Sequence, residues 1–393
     1  MKFVFAFVFF VSFSAWTQDY WELKDSMNGP PRAGVSCFVL GNRSYVVGGI
    51  KADGSTRKMY SYSKPQNDWD NELSLGGDSG GGLERNLACG FSILNKGYVC
   101  LGEGLGASFM KDLWEYDKNT QTWTQKADFI GTPRRGASCF VLNNQAYVGT
   151  GEDQQGLCSD FYSYDPTLNT WQAIASFPGG ARRQAVGFEL NGYGWLATGD
   201  AGILKKDLWS YNVISNQWQQ KSDLPGAARK GAVAWSTSPS AYIATGEDLT
   251  GSYLNDVWQY NYYQNAWVNK NIFIGGGRVN AFATVINGTP FIGGGFNGNY
   301  LDDFYSYQGV AELPSLISDV NVVVYPNPSI SEIFIRGANA ESKFRIINTL
   351  GQIMTKGTIA NASPIHIETY PSGIYIVEIY SNSSRTCARF EKL

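Results

Sequence analysis

The sequence predicts an all-β fold in which six repeats of four short strands are followed by a small β-sandwich. Two observations lead to this prediction: a sixfold spacing of arginine, glycine and tyrosine, and a composition rich in aromatic residues (15 %) and glycine (45 of 393 residues). Such residues suit strands and turns better than helices. Charged residues make up only 17 % of the chain, which excludes a disordered protein. The formal net charge of −3 provides no positive field that would attract nucleic acid.

The first 17 residues are predicted to be a signal peptide. Lys2 is followed by an almost unbroken apolar run over residues 3–13, with small residues behind it. This run is shorter than the roughly 20 apolar residues that a membrane-spanning helix needs. Cleavage is expected before Gln18, and no later segment reaches spanning length. The mature chain is therefore expected to be exported and to lack a transmembrane segment.

An arginine and a glycine recur six times with the same separation of 17 residues. A tyrosine follows each glycine, and in the first five repeats a tryptophan lies seven residues beyond it. The arginines of this pattern, here called the register arginines, are Arg32, Arg85, Arg134, Arg182, Arg229 and Arg278. Each repeat divides into four short stretches separated by turn residues, as at 137–142, 146–150, 160–164 and 170–173. Such a unit cannot bury both faces alone and must stack on neighbours, as the blades of a β-propeller do.

The last repeat lacks the outer tryptophan, because Pro314 stands at that position. Trp21 precedes Arg32 by the same 11 residues that separate four other tryptophans from the next register arginine. The strand around Trp21 is therefore predicted to complete the sixth blade and close the ring. Closure removes sheet edges that would otherwise be exposed. We predict a six-bladed propeller over residues 18–309.

This repeat resembles that of the Kelch family of β-propellers. The resemblance rests on glycine pairs such as Gly48-Gly49, on the register arginine, and on the Asp-aromatic-x-Tyr segment with its tryptophan. It implies that the innermost strand of each blade follows the register arginine, so that these arginines surround one mouth of the central channel. The fold does not identify a ligand, since Kelch propellers include both binding proteins and enzymes.

A second module, over residues 321–393, follows a linker at residues 310–320. Its short alternating apolar strands predict a small immunoglobulin-like β-sandwich. The module resembles the type A C-terminal sorting domain of the type IX secretion system at Tyr325, Pro326, Asn327, Pro328, Gly351, Gly373 and Tyr375. The resemblance implies a Gram-negative bacterium of the Bacteroidota, the type IX secretion machinery as partner, and a product that is secreted or held at the outer cell surface. An accessory domain that binds a partner is the alternative interpretation.

Few catalytic arrangements are open to the predicted propeller. The single histidine, His366, lies in the C-terminal module, which excludes a histidine-based nucleophile system or metal site in the propeller. No cofactor or metal is predicted. An aspartate before each tyrosine segment is interpreted as a turn cap rather than as a calcium ligand. These aspartates are Asp112, Asp160, Asp207, Asp256 and Asp303.

Two interpretations of the six cysteines remain open. Cys89 and Cys100 flank a predicted turn and could form a disulfide across a hairpin, which an exported protein allows. Alternatively, they are buried thiols that pack as small apolar side chains.

Acidic residues follow the register glycine in four repeats and are expected at the same mouth as the register arginines. They are Glu103, Glu152, Asp200 and Glu247. In one interpretation, carboxylate or carbonyl groups of neighbouring blades hold the arginines and cement the ring. In the other, because six arginines face four acids, some guanidinium groups stay free to bind carboxylate or sulfate groups of a ligand. Basic residues next to the register positions, Arg135, Arg183 and Lys230, favour the second interpretation.

The leading functional hypothesis is a non-catalytic binding module for an acidic glycan or a protein, with the ligand at the arginine-lined mouth. The alternative is an isomerase of acidic sugars similar to the sialic acid mutarotase and epimerase-like propellers, with Glu152 or Glu247 as acid/base. A third hypothesis is an adhesin component that binds protein through the glycine-rich loop at residues 76–82. The chain is expected to be a monomer that binds no nucleic acid.

Overall fold

The structure is a computed structural model that describes residues 19–77, 82–308, 323–336, 342–348, 352–359, 363–380 and 385–393. The predicted signal peptide (1–17), the predicted linker (310–320) and Gly351 lie outside the described residues. The chain forms two compact units, divided after Val310. Both are built from antiparallel sheets, and the described ranges contain no α-helix.

The N-terminal unit contains six four-stranded sheets, and its first strand, β1 (Tyr20–Lys24), belongs to the sixth. Sheet 1 contains β2 (Ser36–Leu40), β3 (Arg43–Val47), β4 (Met59–Ser63) and β5 (Asp68–Glu72). Sheet 2 contains β6 (Cys89–Ile93), β7 (Lys96–Cys100), β8 (Leu113–Asp117) and β9 (Thr122–Lys126). Sheet 3 contains β10 (Ser138–Leu142), β11 (Gln145–Gly149), β12 (Phe161–Asp165) and β13 (Thr170–Ile174).

The remaining three sheets repeat this arrangement. Sheet 4 contains β14 (Val186–Leu190), β15 (Tyr193–Ala197), β16 (Leu208–Asn212) and β17 (Gln217–Lys221). Sheet 5 contains β18 (Val233–Thr237), β19 (Ser240–Ala244), β20 (Val257–Asn261) and β21 (Ala266–Lys270). Sheet 6 contains β22 (Phe282–Ile286), β23 (Thr289–Gly293) and β24 (Phe304–Gln308), with β1 at its outer edge. Short ribbons (Ile50–Lys51 with Gly54–Ser55, Glu152–Asp153 with Gly156–Leu157) and one 3-10 turn (Leu105–Ala107) lie in the loops.

The prediction that the strand around Trp21 completes the sixth sheet is confirmed. β1 pairs antiparallel with β24, and Trp21 stands opposite Tyr307. The Trp21 ring lies 4.8 Å from the Tyr307 ring and 4.7 Å from the Phe273 ring, centroid to centroid. Trp21 is only 6 % exposed, so the two ends of the unit share a buried aromatic contact.

Aromatic side chains join each sheet to the one before it, in a closed order. In every sheet the tyrosine of the repeat contacts an aromatic ring of the preceding sheet at 4.8–6.3 Å between centroids. The contacts are Tyr62–Phe304, Tyr116–Phe38, Tyr164–Tyr98, Tyr211–Phe140, Tyr260–Trp195 and Tyr307–Trp235. Because the sixth sheet contacts both the fifth and the first, the arrangement is consistent with a propeller.

The connections between strands lie at two opposite ends of the sheets. Short turns join the first strand to the second and the third to the fourth, as at residues 143–144 and 166–169 of sheet 3. Longer loops join the second strand to the third, and each sheet to the next, at the other end, because the strands run antiparallel. We call these ends the turn face and the loop face. Every register arginine lies at the loop face, directly before an innermost strand.

The C-terminal unit consists of two antiparallel sheets around one apolar core. The smaller sheet contains β25 (Val323–Tyr325), β26 (Glu332–Arg336) and β29 (Ile365–His366). The larger sheet contains β27 (Lys343–Asn348), β28 (Ile353–Thr358), β30 (Gly373–Tyr380) and β31 (Arg385–Lys392). Ile333 from one sheet and Ile346, Val377 and Phe390 from the other are completely buried. The immunoglobulin-like character expected for this unit stays a prediction.

Candidate functional site

The six register arginines are buried, with at most 1 % of each residue exposed. In five sheets the guanidinium donates hydrogen bonds to both carboxylate oxygens of an aspartate in the loop between the second and third strands. These pairs are Arg85–Asp112, Arg134–Asp160, Arg182–Asp207, Arg229–Asp256 and Arg278–Asp303, with N···O distances of 2.5–2.9 Å. A two-pronged, charge-assisted pair of this kind is among the strongest polar contacts in proteins.

Backbone carbonyl groups accept further hydrogen bonds from these arginines, and Arg134 also donates to the Thr132 hydroxyl at 2.8 Å. Arg134 donates from Nη1 to the carbonyl of Thr150 and from Nε to that of Thr132, both at 3.0 Å, and the other register arginines have equivalent contacts. Burial would lower the pKa of Arg134, but the bonds to Asp160 raise it above its ordinary value. Burial would raise the pKa of Asp160, but the bonds from Arg134 lower it. Both groups are therefore charged at neutral pH and fasten the loop to its own sheet.

This geometry corrects the sequence interpretation at two points. The aspartates expected to be turn caps are the partners of the register arginines, and a nearby aromatic side chain also donates to them, as Trp114 does to Asp112 at 2.7 Å. The register arginines are not bound to the acids that follow the register glycines. Because their donors are taken up within their own sheets, the expectation of free register guanidinium groups finds no support.

Arg32 differs from the other register arginines, because Lys58 stands where the other repeats have aspartate. Its guanidinium carbon lies 4.8 Å from the centre of the Tyr60 ring, and it donates to the carbonyl groups of Pro30 and Gly48. Burial lowers the pKa of Arg32. At 1 % exposure, Arg32 is as inaccessible to a ligand as the others.

Six backbone hydrogen bonds form a closed ring around the axis of the N-terminal unit. Each joins the amide of the residue two positions after a register arginine to the carbonyl group of the equivalent residue in the preceding sheet. The donor–acceptor pairs are Gly34–Asn280, Leu87–Gly34, Gly136–Leu87, Gln184–Gly136, Gly231–Gln184 and Asn280–Gly231, at 2.8–3.0 Å. This ring was not expected from the sequence, although its residues stand at one fixed offset from the register arginine.

Side chains of alternate sheets fill the centre of this backbone ring. A Cβ atom at Gly34 would lie 3.2 Å from Leu87 Cδ2, and one at Gly231 would lie 2.5 Å from Asn280 Oδ1. Gln184 donates a hydrogen bond to Asn280 at 2.7 Å. The side chains of Leu87, Gln184 and Asn280 thus occupy the space beside the three glycines, which have no side chain. A central cavity of about 210 Å³ is lined by the first residues of the six innermost strands.

A chain of ion pairs runs around the mouth at the loop face, one residue beyond the register arginines. Arg135 contacts Glu103 at 2.6 Å and Glu152 at 2.9 Å. Arg183 contacts the same Glu152 at 2.6 Å and Asp200 at 3.0 Å. The acids predicted at the mouth are therefore brought together there, but their partners are the neighbours of the register arginines.

Lys230 stands apart from this chain. Its ammonium group lies 3.3 Å from Glu247 and has no second carboxylate partner among the described residues. The Lys230 side chain is 26 % exposed and that of Glu247 is 25 % exposed. An ammonium group has three N–H donors, so Lys230 keeps donors for another group. We call the seven residues of this mouth the rim: Glu103, Arg135, Glu152, Arg183, Asp200, Lys230 and Glu247.

Glu152 is the rim carboxylate that two arginines hold. Burial would raise the pKa of Glu152, but the hydrogen bonds from Arg183 and Arg135 lower it below its ordinary value. Glu152 is therefore ionised at neutral pH and accepts from two guanidinium groups at once. Such a carboxylate orients the two arginines but is a poor proton donor.

In the remaining two of the six sheets, sheets 1 and 6, the apolar residues Ile50 and Phe296 replace the acid. Phe296 contacts Tyr253 edge-on at 6.1 Å and Tyr300 at 5.1 Å between ring centroids. Tyr253 also forms a β-bridge with Glu247 of the rim. Charged groups and aromatic rings thus meet at the fifth sheet.

The motif residues of the C-terminal unit have structural roles there. Asn327 donates to the carbonyl of Arg389 at 3.2 Å and accepts from the amide of Glu391 at 2.9 Å, which ties the segment after β25 to β31. Tyr325 stacks on Phe334 at 5.6 Å. Tyr375 is buried and donates from its hydroxyl to Pro371 at 2.7 Å. Pro326 and Pro328 flank Asn327, and Gly373 begins β30.

Thiol and metal chemistry do not add a site in the part of the chain that the structure describes. Cys37, Cys89, Cys100, Cys139 and Cys158 are free thiols. The described residues include no group of three or more His, Cys, Asp or Glu side chains that could hold a metal ion. The interpretation of Cys89 and Cys100 as buried thiols therefore fits the structure.

Comparison with known proteins identifies the C-terminal unit. A family described as a secretion system C-terminal sorting domain matches residues 323–391. The chain therefore carries a type IX sorting domain, is handled by the corresponding secretion machinery, and is secreted or attached to the outer cell surface. In the described part of the chain, no helix has the length and apolarity to cross a membrane.

The N-terminal unit is similar in fold to the solved structure of YjhT, a propeller-type protein. The TM-score is 0.64 and the sequence identity is 18 %, and the match covers 74 % of this chain and 98 % of YjhT. This likeness supports a β-propeller fold. No curated protein sequence matches the chain significantly.

Proposed function

We propose that this exported protein is a six-bladed Kelch propeller that acts as a non-catalytic binding module, with an acidic glycan or a protein as ligand at the rim. The closed order of six four-stranded sheets supports six blades. The sorting domain delivers the propeller to the outside of the cell, where extracellular ligands are available. The proposed ligand site is the rim and not the register arginines, which the sequence analysis suggested for this role.

The observation that carries the proposal is the unequal pairing of the rim cations. Arg135 and Arg183 each bind two carboxylates, whereas Lys230 binds Glu247 alone among the described residues. A carboxylate or sulfate group of a ligand would complete the contacts of Lys230, which lies outside the chain of arginine ion pairs. The adjacent Tyr253 ring supplies an apolar surface on which a sugar ring or a peptide side chain can pack.

An acidic ligand is the chemical class that this arrangement favours at Lys230. The register arginines no longer contribute, since their guanidinium groups are buried and bonded. Rim acids outnumber rim bases by one, so the whole mouth has no excess of positive charge that would attract any polyanion. Recognition must therefore be local, with one acidic group directed to Lys230 and the remainder of the ligand on the aromatic side.

The alternative function is an isomerase of acidic sugars, with a rim carboxylate as acid/base. Glu152 is unsuited to this role because two arginines hold it in the ionised form. Glu247 is the better candidate, since Lys230 is its single ion-pair partner among the described residues and Tyr253 lies beside it. Proton magnetic resonance of sialic acid anomers tests this alternative, because an enzyme would accelerate their interconversion and Glu247→Gln would abolish the acceleration.

The binding proposal is tested by glycan and protein arrays probed with the full-length protein and two lysine variants. Lys230→Ala should lose binding to the acidic ligands that the unaltered protein retains. Lys118→Ala is the matched control, because Lys118 is also partly buried but lies at the turn face. Binding that both variants retain in full would overturn the assignment of the ligand to the rim.

A further inference from the structure

A pocket of about 690 Å³ opens at the loop face between sheets 1 and 6. Its lining includes Pro30, Pro31, Lys51, Asp53, Phe296 and Tyr300. A volume of this size is within the range of small-molecule sites, which is roughly 300–1,000 Å³. None of these six residues belongs to the rim.

The two repeats that form this pocket are those that depart from the acidic pattern of the mouth. Ile50 and Phe296 stand where the other four repeats carry Glu or Asp. Phe296 and Tyr300 form a β-bridge and place their rings 5.1 Å apart at an angle of 59°. Both residues are partly exposed and line the pocket, so aromatic side chains form part of its wall.

The opposite wall combines a rigid segment with an oriented ion pair. Pro30 and Pro31 have fixed φ angles, which limits the conformational entropy that this wall can lose when a ligand binds. Lys51 forms a hydrogen-bonded ion pair with Asp53, and the Asp53 side chain is 78 % exposed. The ion pair with Lys51 therefore holds the Asp53 carboxylate in place, and the carboxylate oxygens can accept further hydrogen bonds from a ligand.

The lining charges indicate what the pocket can hold. Lys51 and Asp53 are the two charged residues among the described residues that line it, and they neutralise each other. The pocket therefore has no spare cation for an anionic ligand and no spare acid for a cationic one. A carboxylate next to aromatic faces instead suits a ligand that has hydroxyl groups on its edge and C–H groups on its face.

We propose that this pocket binds one ring of a neutral sugar, with the ring packed on Tyr300 and Phe296 and its hydroxyl groups hydrogen-bonded to Asp53. Asn299, which also lines the pocket, adds an amide that can both donate and accept hydrogen bonds. This inference goes beyond the proposed function, because it concerns other residues and a ligand of different charge. It stands whether or not the rim binds an acidic ligand.

The test is saturation-transfer nuclear magnetic resonance on the full-length protein with methyl glycosides of glucose, galactose, mannose, xylose, fucose and N-acetylglucosamine. At least one neutral glycoside should receive saturation, most strongly at the C–H groups of one ring face. Tyr300→Ala should weaken its affinity about three- to tenfold, the value of one aromatic contact. Asp53→Asn should weaken it as well, without removing a core side chain.

Two further variants separate this pocket from other surfaces. Tyr263→Ala removes a 62 % exposed tyrosine at the turn face and should leave the saturation signals unchanged. Lys230→Ala removes one of the three rim cations and should also leave them unchanged. The proposal is overturned if no neutral glycoside receives saturation, or if Tyr300→Ala and Asp53→Asn both retain full affinity. Binding of an oligoproline peptide without binding of any glycoside would equally overturn it, since it would assign the aromatic wall to peptide recognition.

Discussion

The guanidinium of Arg134 donates to both carboxylate oxygens of Asp160, at 2.5 and 2.9 Å. Arg134 is 1 % exposed, whereas the next residue, Arg135, keeps 27 % of its side chain exposed. The two neighbours therefore belong to different networks, one buried within the sheet and one at the surface of the mouth.

Arg134→Ala and Arg135→Ala should differ strongly in their effect on stability. Loss of Arg134 leaves the Asp160 carboxylate without its partner and should lower the free energy of unfolding by about 3 to 5 kcal/mol. Loss of Arg135 removes a partly exposed contact and should cost about 1 kcal/mol or less. Urea titration followed by tryptophan fluorescence measures both, because all 12 tryptophans precede residue 309. Equal losses in the two variants would show that Arg134 is not a structural residue.

The aspartates that bind the register arginines should make the N-terminal unit sensitive to acid. Burial would raise the pKa values of Asp112, Asp160 and Asp256, but the bonds from their arginines lower them below the ordinary carboxyl value. Because the folded-state pKa lies below the unfolded-state value, the unfolded chain binds more protons in acid. The stabilisation is complete above about pH 4, the unfolded-state pKa, and is lost as the pH falls through the folded-state values.

Urea midpoints at pH 7, 5, 4 and 3 measure this acid effect. The midpoint should fall between pH 4 and pH 3 and stay nearly constant from pH 7 to pH 5. Asp160→Asn should be less stable at pH 7 but should lose less on acidification, since one titrating carboxylate is gone. A midpoint that stays the same down to pH 3 is incompatible with ionised aspartates as the main partners of the register arginines.

The pairing of β1 with β24 should be stabilised by Trp21 and not by its neighbour Tyr20. Trp21 is 6 % exposed and packs on Phe273 and Tyr307, so Trp21→Ala should lower the free energy of unfolding by about 3 to 5 kcal/mol. Tyr20 is 57 % exposed, and Tyr20→Ala should change stability by about 0.5 kcal/mol or less. Thermal unfolding followed by tryptophan fluorescence compares the two. A Trp21→Ala variant as stable as Tyr20→Ala would contradict closure by this strand.

The thiol of Cys37 should be unreactive in the folded protein. Burial raises the pKa of Cys37 to about 12, so the nucleophilic thiolate is scarce at pH 8. Alkylation at pH 8 followed by peptide mass spectrometry should label Cys37 only after urea is added. Labelling of Cys37 in the folded protein at the rate seen in urea would contradict the raised pKa of its thiol. Disulfide-linked peptides containing Cys89 or Cys100 would contradict the free thiols.

Much of the strand pairing could be predicted from spacing alone. The 11-residue interval between Trp21 and Arg32 placed an N-terminal strand in the sixth sheet, and β1 does pair with β24. The prediction succeeded because the aromatic core repeats in every sheet and a missing member is therefore visible. The backbone ring on the axis also has a sequence pattern. Two positions after the register arginines, Gly34, Gly136 and Gly231 alternate with larger residues.

The roles of the charged residues could not be predicted in the same way. Spacing indicates which strand a residue belongs to, but not how far a loop side chain reaches, so the sequence alone predicts turn caps at the Asp partners of the register arginines. One signal is present in the sequence: an aspartate stands four residues before the repeat tyrosine in five repeats, and Lys58 stands there in the first. Adjacent residues such as Arg134 and Arg135 have side chains in different environments, the first buried and the second partly exposed. The sequence alone does not show this difference.

The most direct test of ligand binding at the rim is a crystal structure of the protein with an acidic ligand selected on the arrays. The account predicts an acidic group of the ligand within hydrogen-bond distance of Lys230 Nζ, with the rest of the ligand against Tyr253. A ligand bound at the turn face, or at the loop face without contact to Lys230, would contradict it.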